Sequence, residues 1–193
     1  MGRDIATEVA GDGVATLALA RPERRNALSI QLRDQIAAQL EQWAREPAVR
    51  VVVLSAAASS FCAGFDLAEF APAALARRIR DSSRRYHLAV RAFPKPLLAA
   101  VNGPALAGGL DLCVLCDCRV ASAGAVFGHP EIKFGAPPMF TPLQWIVGAL
   151  HQWSASIISD PAFRERCLYG ADLALAAIAT DDARPAVLSR LAQ

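Results

Sequence analysis

The sequence predicts one α/β domain in which helices connect the parallel strands of a sheet. Three observations support this prediction. The 193 residues fit a single domain. Two short, uninterrupted apolar runs, Val51–Leu54 and Leu97–Val101, are typical of strands that are buried on both faces. Segments with helical spacing of apolar residues alternate with these runs, which is the order of a sheet with crossover helices.

The chain begins with a predicted β-hairpin. Ile5–Ala10 and Val14–Ala20 are strand-like segments, and Gly11-Asp12-Gly13 between them favours a tight turn. Alternation along the second segment places a set of apolar side chains on one face: Ala15, Leu17 and Leu19. A polar break at Arg21–Asn26 then separates the hairpin from the first predicted helix.

Two amphipathic helices are predicted on either side of the strand Val51–Leu54. The first ends near Pro47, and its apolar residues recur at helical spacing: Leu32, Ile36, Leu40 and Trp43. The second follows the loop Ala58–Gly64 and ends at Pro94, with apolar residues at corresponding spacing: Leu75, Ile79, Tyr86, Val90 and Phe93. Both helices therefore have one face suited to packing on the sheet.

A third helix is predicted directly after the strand Leu97–Val101. The turn Asn102-Gly103-Pro104 leads to Gly108-Gly109, which open an apolar helix that runs to about Cys116. Further along, Thr141-Pro142, with a glutamine three residues after the threonine, has the pattern of a helix start. Residues 160–193 are interpreted as short helical pieces.

Composition excludes several classes of protein. With 54% hydrophobic and 20% charged residues and a mean hydropathy of +0.29, the chain is too apolar to be disordered. Its most apolar stretch, Leu97–Cys116, contains Pro104 and Asp111, so no membrane span is expected. The net charge of +2 makes nucleic acid an unexpected partner. Because Met1–Ala6 resemble no signal peptide and five cysteines make a poor disulfide framework, we expect a cytoplasmic protein.

Two clusters of cysteine and arginine side chains could suggest a binding site, but each has a simpler interpretation. Cys113, Cys116 and Cys118 lack a second Cys or His pair that would complete a tetrahedral set, so no metal site is predicted. A basic stripe follows the second predicted helix: Arg77, Arg78, Arg80, Arg84, Arg85 and Arg91. Such a stripe is usually a solvated face, and the alternatives are contacts to phosphates, to a partner chain or to RNA.

The paired glycines at the start of the third helix permit two interpretations. Backbone N–H groups at a helix N-terminus are unpaired and lie at the positive end of the helix dipole, so Gly108-Gly109 suit an anion or a developing oxyanion. Alternatively, the glycines simply allow close packing of the helix. The loop Ser59–Asp66 follows a buried strand, where ligands of parallel sheets collect, and Asp66 is expected chiefly to cap the next turn.

Two acids lie near apolar segments. Asp111 is on the first turn of the third helix, and Glu131 follows 20 positions later, directly after His129-Pro130. A carboxyl in such surroundings either is stabilised by the helix dipole or has a raised pKa that suits acid or base chemistry. His129 is a further candidate to line a pocket, whereas His87 and His151 are expected to be structural.

Five ordered motifs between Ile5 and Gly148 carry a resemblance to a known family: Arg21-Pro22-Glu23-Arg24-Arg25-Asn26-Ala27-Leu28, Phe61-Cys62-Ala63-Gly64-Phe65-Asp66-Leu67, Pro96 to Gly109 with Val101-Asn102-Gly103, Cys116-Asp117, and Pro130-Glu131-Ile132. Together they resemble the enoyl-CoA hydratase/isomerase (crotonase) superfamily. The resemblance implies a spiral of ββα units, acyl-CoA substrates and an enolate intermediate held by two backbone amides. It implies no separate cofactor, since coenzyme A is part of the substrate.

The resemblance assigns roles by motif. The amides of Phe65 and Gly108 correspond to the oxyanion hole, and Asp111 and Glu131 correspond to the two catalytic acids. One further set corresponds to residues that contact coenzyme A: Arg24, Arg25, Ala27, Ala63, Asp66 and Leu67. Arginine charge suits the phosphates of such a ligand.

Two departures from the family keep alternatives open. Asp111 is one methylene shorter than the glutamate of hydratases, so a double-bond isomerase that works mainly through Glu131 is an alternative to a hydratase. The match fades beyond Gly148, so we divide the chain into a crotonase-like core at residues 1–148 and a shortened helical extension at 149–193. A binding or scaffold protein without catalysis is the third possibility.

An oligomer is also expected. Family members are typically trimers or pairs of trimers, and a set of apolar residues lies near the end of the core: Trp145, Ile146, Val147, Trp153, Ile157 and Ile158. Left exposed, these side chains would favour association; packed inward, they would belong to the core. We expect a homo-oligomer, most simply a trimer.

Overall fold

The structure, a computed structural model, describes residues 2–134 and is organised around a five-stranded sheet. Its strands and helices are β1 (Ile5–Val9), β2 (Val14–Leu19), α1 (Ile30–Arg45), β3 (Val51–Ala56), α2 (Ala76–Arg91), β4 (Leu97–Val101), β5 (Ala105–Leu106), α3 (Gly108–Leu115), β6 (Cys118–Ala121) and β7 (Phe127–Gly128). Short 3₁₀ turns lie at Pro22–Arg24, Leu67–Glu69, Ala73–Leu75 and Pro130–Phe134.

The main sheet has the order β1-β2-β3-β4-β6. β1 and β2 form the predicted antiparallel hairpin, with Ile5 opposite Leu19. From β2 onward the neighbouring strands are parallel, which confirms the alternation of strands and crossover helices. The apolar face predicted for β2 is fully buried, because Ala15, Leu17 and Leu19 have no exposed surface.

The first two helices match their predictions. α1 begins after Ser29, whose Oγ accepts a hydrogen bond from the Leu32 N–H at 3.1 Å, and its predicted apolar face is buried. α2 ends at Arg91, before Pro94, and buries Ile79, Tyr86 and Val90, whereas the predicted Leu75 and Phe93 lie just outside the helix and are half-buried. α1 and α2 pack on each other and, with the sheet, enclose the main apolar core.

A second, smaller sheet positions the third helix. β5 and β7 are parallel, with Ala105 opposite Phe127 and Leu106 opposite Gly128. β5 leads into α3 and β7 leads into the Pro130–Phe134 turn, so these two segments leave the small sheet in the same direction. Sequence analysis missed β5, β6 and β7, because strands of two to four residues are too short to show alternation.

Two asparagine side chains hold the loop that follows β3. Asn26 is fully buried with φ of 54°, a left-handed conformation that asparagine tolerates. It accepts from the Arg21 N–H at 2.8 Å and donates to the carbonyls of Ala57 and Ser60 at 2.9 and 2.8 Å. The side-chain amide of Asn102 donates to the carbonyls of residues 56 and 58, where β3 ends and the same loop begins.

Several expectations concern residues that the structure does not describe. They are the helix at Thr141-Pro142, the extension at 149–193, His151 and the apolar set from Trp145 to Ile158. Within residues 2–134, no helix combines the length and apolar character that a membrane span requires.

We predict that Asn26→Asp lowers the free energy of unfolding by about 2 kcal/mol or more. The aspartate keeps an oxygen for the Arg21 N–H, but it loses both donated hydrogen bonds and faces two carbonyl oxygens with a buried charge. Urea denaturation at neutral pH measures the change. Gln42→Glu makes the same chemical change on the exposed face of α1 and is expected to stay within about 0.5 kcal/mol of the parent. An Asn26→Asp variant as stable as this control would contradict the prediction.

Candidate active site

The six residues predicted to contact coenzyme A line one cleft of about 300 Å³. Arg24, Arg25 and Ala27 come from the turn after β2, and the others come from the loop after β3: Ala63, Asp66 and Leu67. The Ala63 N–H donates to the Arg25 carbonyl at 3.0 Å, which joins the two segments directly. Arg24 and Arg25 are exposed, so their charges face solvent at the cleft.

Asp66 links the two segments that line this cleft. Its carboxylate accepts a hydrogen bond from the Ala68 N–H at 3.2 Å, which confirms the predicted capping role. It also forms an ion pair with Arg21 at 3.3 Å, and Arg21 donates in turn to the Ala27 carbonyl at 2.8 Å. Asp66 therefore orders both walls of the cleft.

The Phe65 amide is presented by its neighbours. The Leu28 N–H donates to the Gly64 carbonyl at 2.7 Å, and the Asp66 N–H donates to the Leu28 carbonyl at 3.3 Å. Gly64 has φ of 94°, a conformation that favours glycine. Among residues 2–134 the Phe65 N–H, which lies between these bonds, has no hydrogen-bond acceptor. It is therefore available to a ligand.

The Gly108 amide lies beside it. Ala107 has the rare backbone angles φ 49° and ψ −124°, held by donation of its N–H to the Gly128 carbonyl at 2.8 Å. A Cβ on Gly108 would come within 2.8 Å of the Phe65 ring, and one on Gly64 would lie 3.4 Å from the Gly108 nitrogen. The Gly108 N–H also lacks an acceptor in the described part of the chain. The structure thus places both predicted oxyanion donors together.

Close packing accounts for the second glycine of the pair. A Cβ on Gly109 would overlap the Cys62 backbone and approach its Cβ to 2.8 Å. Close packing therefore applies to both glycines, and Gly108 in addition offers an N–H that has no acceptor among residues 2–134.

Arg33 is a residue of the site that sequence analysis missed. Its side chain is fully buried, and its guanidinium carbon lies 4.4 Å from the centre of the Phe65 ring. Nη1 donates to the Leu28 carbonyl at 2.6 Å, and Nε donates to the Ser82 hydroxyl at 3.2 Å. Burial lowers the pKa of Arg33, and the nearby Glu69 carboxylate opposes this effect. The sequence feature that could have indicated this role is the position of a charged residue, Arg33, on the apolar face of α1, about one turn before Ile36.

The two predicted acids meet through His129. Its Nδ1 lies 2.9 Å from the Glu131 Oε1, and its Nε2 lies 3.7 Å from the Asp111 Oδ1. The parallel β5–β7 pair explains the arrangement, because Asp111 follows β5 and His129 directly follows β7. Asp111 is 3% exposed, whereas the side chains of His129 and Glu131 retain 15% and 19% of their exposure.

Burial raises the pKa of Asp111 to about 7. Desolvation of the carboxylate is the main cause, the charge of Glu131 adds to it, and His129 opposes it. Asp111 is therefore able to exchange a proton near neutral pH, as an acid or base in catalysis must. Within residues 2–134, no group of His, Cys, Asp and Glu side chains has a geometry that would hold a metal ion.

Comparison with known proteins supplies relatives of known name. The chain is 43% identical over 125 residues to the 2,3-dehydroadipyl-CoA hydratase of Escherichia coli, a match that covers 65% of this chain and 49% of the relative. It is 40% identical over 124 residues to a probable enoyl-CoA hydratase of Mycobacterium tuberculosis, covering 64% of this chain and 49% of that protein. The chain spans about half the length of these curated relatives.

Solved structures show the same similarity. An enoyl-CoA hydratase/isomerase from Xanthobacter autotrophicus Py2 superposes with a TM-score of 0.70 at 37% identity, over 77% of this chain and 56% of that one. An enoyl-CoA hydratase from Bacillus anthracis gives a TM-score of 0.67 at 34% identity, over 70% and 54%. The sequence profile described as "Enoyl-CoA hydratase/isomerase" matches residues 10–158, so the chain belongs to the enoyl-CoA hydratase/isomerase family and has its crotonase-like α/β fold.

Proposed function

We propose that the protein is an enoyl-CoA hydratase that adds water to the 2,3 double bond of an enoyl-CoA. The observation that carries the proposal is the proximity of the two free amides, Phe65 and Gly108, to α3, whose first turn bears Asp111. An enoyl thioester needs both features, since negative charge develops on its carbonyl oxygen while protons move at its carbons.

In this proposal the two amides hold the thioester oxygen as the enolate forms. Water attacks C3, and the electron pair of the double bond moves toward the carbonyl oxygen. Asp111 and Glu131 hold the water, and the two carboxyl groups pass its second proton to C2. The product carries a hydroxyl at C3 and a hydrogen at C2, so the atoms of one water are accounted for. Each well-placed oxyanion donor contributes about 3 kcal/mol to such a step.

The cleft beside Phe65 suits the coenzyme A part of the substrate. Phe65 lines the cleft and its ring also packs on Gly108, which supports a ligand path from the cleft toward the two amides. The exposed charges of Arg24 and Arg25 match the phosphates of coenzyme A.

An isomerase that shifts a 3-enoyl double bond to position 2 is the second candidate. The observation that favours it is the short, deeply buried side chain of Asp111, next to a Glu131 that retains more exposure. In that reaction Glu131 takes a proton from C2 and returns it to C4, so Asp111 has no obligatory role. The two candidates therefore differ in what they require of Asp111.

We predict that Glu131→Gln lowers hydratase kcat by about 100-fold or more, and that Asp111→Asn lowers it by at least about tenfold. Loss of enoyl-thioester absorbance with crotonyl-CoA and longer enoyl-CoAs is the measurement. Glu41→Gln and Asp81→Asn make the same changes at exposed sites and serve as controls. A Glu131→Gln enzyme with parent activity would refute the proposal. Activity on 3-enoyl-CoA that survives Asp111→Asn but not Glu131→Gln would identify the isomerase instead.

We predict that the double variant Arg24→Gln/Arg25→Gln binds coenzyme A at least about tenfold more weakly, because two charge-assisted contacts to phosphate are lost. Isothermal titration calorimetry at two salt concentrations measures the affinity, and added salt is expected to weaken binding to the parent more than to the variant. Arg78→Gln/Arg80→Gln on α2 is the matched control. Equal loss of affinity in both double variants would place the phosphates elsewhere.

We predict that Asp111→Asn is stabilised relative to the parent as the pH rises. Because the folded-state pKa of Asp111 is raised from 3.8 to about 7, its protonation favours the folded state, and this stability is lost as the pH rises through about 7. The neutral asparagine avoids the loss, so the variant gains about 2 kcal/mol or more on the parent between pH 5 and pH 8. Urea denaturation at both pH values tests this prediction. Asp81→Asn, at an exposed site, is expected to show no such trend, and a gain no larger than in that control would contradict it.

A further inference from the structure

Arg33 is a buried cation that contacts the residues around the Phe65 amide. Its Nη1 donates to the Leu28 carbonyl at 2.6 Å, and the same carbonyl accepts from the Asp66 N–H at 3.3 Å. The Leu28 N–H donates to the Gly64 carbonyl at 2.7 Å, so Leu28 is bonded to the residue on each side of Phe65. The guanidinium therefore holds the residue that fixes the Phe65 backbone.

The side chains of Phe65 and Leu28 also pack on the second amide. A Cβ on Gly108 would lie 2.8 Å from the Phe65 Cδ2 and 3.3 Å from the Leu28 Cδ1, so both side chains lie against the Gly108 backbone. The guanidinium carbon of Arg33 is 4.4 Å from the centre of the Phe65 ring, which is a cation–π contact. Arg33 thus contacts both of these residues that pack on Gly108.

The rest of the guanidinium is held by α2 and by the start of α1. Nε donates to the Ser82 hydroxyl at 3.2 Å, and this hydroxyl donates to the Ile30 carbonyl at 3.2 Å. The Glu69 carboxylate accepts from the Ile30 N–H at 2.9 Å and lies 3.9 Å from the Arg33 Nη2. These contacts fix the orientation of the Arg33 side chain.

Stability alone does not account for a charge at this position. Removal of a guanidinium from water is costly, and apolar residues of similar volume often replace a buried ion pair without loss of stability. The Nη2 atom of Arg33 is buried and has no hydrogen-bond partner among residues 2–134, which adds to the cost. The benefit of Arg33 therefore lies in what it holds, the Leu28 carbonyl and the Phe65 ring.

We propose that Arg33 is a positioning residue that keeps the Phe65 amide at the distance from the Gly108 amide that an enolate oxygen requires. This inference rests on the proposed function. The guanidinium fixes the Leu28 carbonyl and the Phe65 ring, and these fix the direction of the Phe65 N–H. Oxyanion donors are effective when they are oriented before charge develops, so loss of this support weakens binding of the transition state more than binding of the substrate.

Arg33→Met tests the role, because it approximately keeps the length of the side chain and removes the charge and every donor. The groups that contacted Arg33 keep other bonds, since the Leu28 carbonyl accepts from Asp66 and the Ser82 hydroxyl donates to Ile30. We therefore expect a folded variant whose Tm is within about 5 °C of the parent value. With crotonyl-CoA we expect kcat to fall at least about tenfold while KM changes by less than about threefold.

Three further variants separate positioning from general effects of substitution. Arg33→Lys keeps a charge and a donor, and we expect its kcat to lie between those of the parent and Arg33→Met. Arg45→Met makes the same change at an exposed site of α1, and Leu40→Ala removes core volume about two turns after Arg33. Both are expected to keep the parent kcat. Arg33→Met with the parent kcat, a rise in KM alone, an equal loss of kcat in Leu40→Ala, or a kcat of Arg33→Lys below that of Arg33→Met would overturn the positioning role.

A spectroscopic measurement needs no turnover. Acetoacetyl-CoA has an acidic C2 and its enolate absorbs in the near ultraviolet, so the pH dependence of this absorbance reports how well the two amides hold an enolate oxygen. We expect the parent to lower the apparent pKa of the bound ligand relative to the free ligand. Arg33→Met is expected to raise that pKa by about 1, which corresponds to about tenfold weaker stabilisation of the enolate.

The two measurements distinguish failure of this inference from failure of the proposed function. A protein that lowers the pKa of acetoacetyl-CoA through Arg33 but hydrates no enoyl-CoA would refute the proposed function and leave the positioning role standing. An equal pKa in the parent and Arg33→Met, in a protein that hydrates crotonyl-CoA, would overturn the positioning role and leave the proposed function standing.

Discussion

Close approach of two backbone segments is the constraint on which the site depends. The Cys62 N–H donates to the Pro104 carbonyl at 3.1 Å, and the Leu106 N–H donates to the Cys62 carbonyl at 2.9 Å, so the loop after β3 lies directly on the segment after β4. Gly64 and Gly109 have no space for a Cβ at this contact. Any larger residue would force the segments apart. The two free amides would separate with them, because each amide belongs to one of the two segments.

The small β5–β7 sheet adds the acids to this arrangement. Two-residue strands contribute few hydrogen bonds, so their pairing depends on the larger sheet that places β4 and β6 side by side. Once paired, the parallel strands direct α3 and the Pro130–Phe134 turn to the same side. Asp111 and Glu131 therefore meet although they are 20 residues apart and belong to different elements.

The sequence predicted the elements whose patterns are long. Helical spacing in α1, alternation in β2 and the apolar run of β4 all mark burial on a regular surface, and all three elements are present. It did not predict contacts that depend on tertiary packing. Asn26 was assigned to a polar break, although its side chain ties that break to the loop after β3. Arg33 was missed because its role depends on its contact with the Phe65 ring. Phe65 is 32 positions away in the sequence, and no local pattern indicates such a contact.

Exposure falls from one end of the site to the other. Arg24 and Arg25 lie in water, the free amides lie at the contact of two loops, and Asp111 is buried where its carboxylate is costly to ionise. A ligand that matches this order has a charged, hydrated end and a neutral reacting end that becomes charged only during the reaction. An acyl-CoA thioester has this distribution of charge. A small anionic metabolite does not, because its charge would have to lie beside Asp111, where the low dielectric strengthens repulsion by the ionised carboxylate.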